Sequence, residues 1–277
     1  TAVGLMGMTA LTGCGSGSTD SATSASAAMT PSASSTPSPS STLSGTVTVL
    51  AAASLTESFT ALEKSFEAAN PGVDVTISFG SSATLAQQIA QGAPADLYAS
   101  AGTKALDQLP AEAKAKPTTT LAKNVLEIAT PPGNPKKVTG LASLADASTN
   151  VVLCAETVPC GSAADAVLTK AGVTAHVVSR EVDVKATLAK ITLGEADAAI
   201  VYHSDVVAAG SKVEGVEIPS AQNTTLAYPL VRLTDTAATK AFADLLASAA
   251  GLDELSVALG PADIDAGGVR LRPFASV

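Results

Sequence analysis

The sequence predicts an α/β fold of mostly parallel strands layered with helices, and three observations carry that prediction. From Gly45 onward, short runs rich in β-branched residues alternate with runs whose apolar residues recur three and four apart. Several strand-to-helix turns are filled with small residues and hydroxyls, at Ser54, Ser82 and Ser162. The chain is 46% hydrophobic but only 3% aromatic and lacks Trp, which calls for a core of Ala, Val and Leu in thin layers. Its 277 residues suffice for one large domain or two lobes.

Residues 1–13 form an apolar run too short for the roughly 20 residues that span a bilayer, so they read as the end of a signal peptide. Leu11-Thr12-Gly13-Cys14 follows, and it resembles the lipobox of bacterial lipoproteins, which implies lipidation of Cys14. Residues 14–44 are then a Ser/Thr/Ala/Pro/Gly tether, too poor in apolar groups to offset the entropy of ordering.

The first folded unit is the strand Thr46 to Leu50, then Ala51-Ala52-Ala53-Ser54, then a helix with Leu55, Phe59, Leu62 and Phe66 on one face. Ser54 stands at a helix N-terminus, either as an N-cap or as part of an anion site made by unpaired N–H groups and the helix dipole. The strand Val73 to Phe79 leads through Gly80-Ser81-Ser82 into a helix from Leu85 to Gln91. Further strands are expected at Leu97 to Ser100, Val125 to Ala129, Val151 to Leu153, Val173 to Ser179, Ala198 to Tyr202 and Ala227 to Leu233. Helices are expected at Leu141 to Ala147, Ala163 to Ala171, Val184 to Thr192, Thr236 to Ala249 and Asp253 to Leu259.

Net charge excludes several functions. With 16 Lys+Arg against 25 Asp+Glu, the charge of −9 argues against nucleic acid or anionic lipid as a partner. Two His and three Cys leave little for an imidazole and thiolate metal site. The sequence contains no nucleophile elbow, Walker loop, dinucleotide fingerprint or zinc-protease motif. Cys154 and Cys160, six apart in an exported chain, read as a disulfide clamping their loop, with two free thiols as the alternative. Asp96, Asp183 and Asp197 read as helix or loop partners, and Lys185 and Arg232 as structural or solvated cations rather than anion contacts. A site built from the small-residue turns would hold an ionised oxyanion with neutral dipoles, selecting by cavity size and by a lack of hydrogen-bond acceptors.

From about Gly45 to the end, six segments in order resemble the molybdate-binding proteins of bacterial ABC importers. They are Ala51-Ala52-Ala53-Ser54-Leu55, Phe79-Gly80-Ser81-Ser82 with Thr84-Leu85-Ala86, and Gly92-Ala93-Pro94-Ala95-Asp96. Val158-Pro159-Cys160-Gly161, Asp183-Val184, and Ile200-Val201-Tyr202 with Ser204-Asp205 complete the set. The resemblance implies a two-lobed periplasmic-binding-protein type II fold, each lobe a mostly parallel sheet flanked by helices and hinged by crossing strands near Asn124 and Leu226. The lobes would be 45–123 plus 227–277, and 124–226.

The same resemblance implies an oxyanion held by the hydroxyls of Ser54, Ser82 and Tyr202 and the main-chain N–H groups of Cys160 and Val184. No protein atom would ligate the metal directly, and no cofactor is expected. The implied partners are molybdate or tungstate, a permease and its ATPase, and the membrane through a lipid on Cys14. The implied protein is a non-enzymatic monomer on the extracytoplasmic face of the cell envelope. A receptor for sulfate or phosphate is the alternative, and a thiol-dependent envelope enzyme a more distant one.

Overall fold

The computed structural model describes residues 43–248. The expected signal peptide, Cys14, nearly all of the tether and the expected helix at Asp253 to Leu259 lie outside the described residues. The chain begins with β1 (Gly45–Ala52), a 3₁₀ turn at Ala53–Leu55, α1 (Thr56–Ala69), β2 (Val73–Gly80), α2 (Ser82–Ala90) and β3 (Leu97–Ala99). After the short α3 (Ala111–Lys114) come the long β4 (Thr118–Thr130), β5 (Val151–Cys154), α4 (Pro159–Ala171) and β6 (Val177–Glu181). Next are α5 (Val184–Thr192), β7 (Ala198–Tyr202), α6 (His203–Ala209), β8 (Glu214–Glu217), β9 (Thr225–Arg232) and α7 (Ala237–Ala247).

The strands run in the order β2-β1-β3-β9-β4-β7-β5-β6, with β8 also on β4. β1 pairs in parallel with β2 and β3, and β5 in parallel with β6 and β7. Between these two parallel groups stand the antiparallel strands β9 and β4. β4 is shared along its length: 118–125 pair with β9, whereas Leu126 to Ala129 pair with β7. Asn124 lies opposite Leu226, next to this exchange of partners.

The apolar pattern of α1 explains its docking. Phe59, Leu62 and Phe66 are buried while Lys64 on the opposite side is exposed. Phe66 meets Phe242 of α7 with ring centroids 5.0 Å apart, which fixes α1 and α7 to each other. Small residues dominate the strands, and Val47, Ala51, Ala99 and Ala199 are fully buried, as parallel strands covered on both faces require.

The structure corrects several expected boundaries, each for a local reason. α2 begins at Ser82 and α4 at Pro159, earlier than apolar spacing indicates, since a first turn facing a cleft needs no apolar residue. Proline suits the first position of α4, where its missing N–H has no intrahelical acceptor. The strand expected at Val173 starts at Val177. Gly172 is left-handed (φ 67°), and Val173 still donates to the Leu168 carbonyl, so the chain is closing α4 there. The segment after Gly140 forms only a 3₁₀ turn, Leu141–Ala145. β4 extends far beyond its expected five residues, and α6 and β8 were not expected at all.

Candidate functional site

Ser54, Ser82, Cys160, Val184 and Tyr202, widely separated in sequence, all line one cleft. Four residues that immediately precede helical turns line it too: Ala52, Ser81, Val158 and Asp183. The starts of α2, α4 and α5 therefore converge there. First-turn N–H groups have no intrahelical acceptor, and aligned peptide dipoles place partial positive charge at the same point.

Each hydroxyl is held differently. Ser54, in the turn after β1, is buried, with Oγ 3.0 Å from the Tyr228 hydroxyl. Ser82 Oγ accepts from the Ala101 N–H at 3.0 Å, and its carbonyl accepts from the Tyr98 hydroxyl at 2.7 Å. Burial pushes the Tyr98 phenol up to about 12, so it remains a donor. Neither serine is an N-cap, because Ala52 and Ser81 hold the capping positions and make no side-chain capping bond. Both hydroxyls line the cleft instead of closing a helix end.

Among the described residues, two buried hydroxyls on this cleft have no hydrogen-bond partner, Ser81 Oγ and Tyr202 Oη. Burial, then the nearby Tyr228 and Asp205, push the Tyr202 phenol well above its ordinary value, so it keeps its proton. A buried polar atom without a partner costs about 1–3 kcal/mol, which an entering acceptor would relieve. Ser81 was not singled out from sequence. Its signal is its place directly before Ser82 in a strand-to-helix turn, which a search for a single serine per turn passes over.

The opposite wall relies on backbone. Cys154 and Cys160 form the disulfide, tying the end of β5 to the first turn of α4. The contact is tight, since a Cβ on Gly161 would lie 2.0 Å from the Ala155 carbonyl oxygen. The bond leaves neither cysteine as a free thiol, and His176 and His203 instead face the Thr149 carbonyl and Glu127. A thiol-dependent enzyme working through these cysteines thus has no nucleophile. Asp183 caps α5 by accepting from the Ala186 N–H at 2.9 Å, so its carboxylate is committed to its own helix.

No cation lines the cleft among the described residues. Lys185 pairs with Glu57 at 2.8 Å and with the buried Asp205 at 3.1 Å, and Arg232 with Asp235 at 3.1 Å. Burial alone would lower the Lys185 ammonium, but Asp205 and Glu57 outweigh it and leave it raised. Burial raises the Asp205 carboxyl to about 6 despite Lys185 beside it. Asp96 accepts from the Thr48 N–H and Asp197 from the Asn150 N–H, as loop partners. No cluster of three His, Cys, Asp or Glu side chains suited to a metal ion occurs among the described residues. The arrangement can surround an anion with neutral donors.

Residues 47–256 match the family described as bacterial extracellular solute-binding protein. The molybdate-binding protein ModA of Mycobacterium tuberculosis is 38% identical over 210 residues, covering 74% of this chain and 80% of the relative. The chain belongs to the bacterial extracellular solute-binding protein family. Among solved structures, the periplasmic molybdate-binding protein of Azotobacter vinelandii superposes with a TM-score of 0.65 at 20% identity, covering 76% of this chain and 97% of that one. The sulfate-binding protein SubI of M. tuberculosis gives 0.66 at 20% identity, covering 77% and 85%. These likenesses are of fold, the type II periplasmic-binding-protein arrangement, in which β4 and β9 here stand between the two parallel groups of strands.

Proposed function

We propose that this chain captures molybdate, and the nearly isosteric tungstate, outside the cytoplasm and delivers it to an ABC importer. The observation that carries the reading is the cleft itself. Hydroxyls of Ser54, Ser82 and Tyr202 and the helix starts at Cys160 and Val184 meet on it, and among the described residues no cationic side chain lines it and the Tyr202 hydroxyl is buried without a partner. The 38% identity to a molybdate-binding protein supports the choice of anion.

In this reading the three hydroxyls and the N–H groups of Cys160 and Val184 hold the oxyanion, and no protein atom ligates molybdenum. Charge-assisted hydrogen bonds of this kind are worth about 1.5–3 kcal/mol each, so a handful suffices for tight binding without a counter-cation. The lobes are residues 45–123 with 227–277, and 124–226, turning about β4 and β9 to close on the ligand. Two lysines already join the two walls: Lys104 donates to Ser162 Oγ at 3.0 Å and Lys185 to Glu57 at 2.8 Å. The protein acts as a non-enzymatic monomer, anchored to the extracytoplasmic membrane face through a lipid on Cys14.

Titration calorimetry with molybdate, tungstate, sulfate and phosphate tests this. The reading expects tight binding of the first two and weak binding of the others, since smaller sulfate leaves donors underused. Tight sulfate or phosphate binding without a molybdate response would replace the proposed anion while keeping an oxyanion receptor.

A further inference from the structure

Behind Ser54 lies a chain of buried polar groups. Asn124 Oδ1 accepts from the Val125 N–H at 2.9 Å, while Nδ2 lies 2.8 Å from Ser204 Oγ and 3.1 Å from Tyr228 Oη. Tyr228 Oη is in turn 3.0 Å from Ser54 Oγ. All four side chains are buried, with Asn124 and Tyr228 fully so, and water has little access to redirect these bonds.

The backbone fixes one donor direction, that of the Asn124 amide. The Val125 N–H can only donate, so the amide oxygen must face it and the amide nitrogen must face the hydroxyls. Asn124 therefore donates to Tyr228. Having accepted there, the Tyr228 phenol can give its own proton to Ser54 Oγ. Ser54 then accepts from within the protein, and its own O–H is left to the cleft it lines.

We propose that Asn124 and Tyr228 are positioning residues that commit Ser54 to donate its proton into the ligand cleft. The inference rests on the reading of Ser54 as an anion-binding hydroxyl. It adds a reason why a serine, which can equally accept, presents only a donor to a fully ionised oxyanion. Successive bonds also polarise one another, so Ser54 becomes a stronger donor than an isolated hydroxyl. The relay is placed on the strands that stand between the two parallel groups, Asn124 on β4 and Tyr228 on β9. Its other branch ends at Ser204, two residues beyond Tyr202, whose ring packs edge-on against Tyr228 at 6.0 Å.

The test is a double-mutant cycle read by molybdate titration of the full chain. Tyr228→Phe keeps the ring and removes the relay, and should weaken binding by about tenfold, the value of one strengthened hydrogen bond. Ser54→Ala should weaken it at least as much. In the Ser54→Ala background, Tyr228→Phe should cost nothing further, because it has no hydroxyl left to orient. An equal tenfold loss in that background would show that Tyr228 acts through general packing and would overturn the relay. If Ser54→Ala leaves affinity unchanged, the reading of Ser54 fails and the relay with it. Should Tyr228→Phe fail to fold, Asn124→Leu enters the same cycle, with the same non-additivity expected and full additivity contradicting it.

Discussion

The two walls of the cleft line it with different chemistry. On the β1/β2 side, Ser54, Ser81 and Ser82 bring hydroxyls, two of them braced by bonds to Tyr228 and Ala101. On the other side, the starts of α4 and α5 bring backbone N–H groups, with Tyr202 as the side-chain donor. Side-chain donors can be deleted one at a time, whereas backbone donors answer only to changes in helix placement. The contrast predicts that point substitutions of similar size will hurt the walls through different observables.

The largest expected effect is on the backbone wall. Gly161→Ala places a methyl 2.0 Å from the Ala155 oxygen and 2.6 Å from that of Cys154, both main-chain atoms that cannot swing aside. It should cost about 3 kcal/mol of stability and at least tenfold in molybdate affinity, read by denaturant unfolding and calorimetry. Tyr202→Phe should behave oppositely on its two observables. Affinity should fall by about 2 kcal/mol, while the ligand-free protein should unfold no more easily, since a buried hydroxyl without a partner has been removed. A parallel loss of both would assign Tyr202 to the core instead.

Replacing Cys154 and Cys160 by serine together tests whether the wall is held by covalent closure. The small loop predicts a loss of roughly 2 kcal/mol in stability. Affinity should drop only a few-fold, because Pro159 and the close approach at Gly161 still place the start of α4.

The smallest effect concerns pH. The folded-state carboxyl of Asp205 sits at about 6, above its ordinary value of 3.8, so the folded protein binds this proton more readily than the unfolded chain does. Its contribution favours folding below pH 3.8 and is lost as pH rises through about 6. The stability of the natural protein relative to Asp205→Asn should therefore improve as pH falls from 7 to 4.5, measured by urea unfolding at each pH. A flat difference over that range would contradict the buried-carboxylate account.

The same contrast governs what could be read in advance. Apolar spacing placed the buried face of α1, and α5 and β7 fall on their expected residues, because periodic burial leaves a pattern in the side chains. The first turns of α2 and α4 carry no such pattern, since they face a cleft rather than the core. Serines could be nominated from residue type. The N–H groups at Cys160 and Val184 could not, because every residue but proline carries one, and only the family resemblance pointed to them. The Asn124 to Ser54 relay joins residues 70 or more apart in sequence through Tyr228, and no local spacing encodes it.

The central claim is that both walls close on one tetrahedral dianion. A crystal structure of the molybdate-loaded protein, with anomalous data at the molybdenum edge, tests it most directly. The account predicts a single molybdenum peak in this cleft, with its oxygens within hydrogen-bond distance of the Ser54, Ser82 and Tyr202 hydroxyls and the Cys160 and Val184 N–H groups. A peak elsewhere, or oxygens touching only one wall, would contradict it.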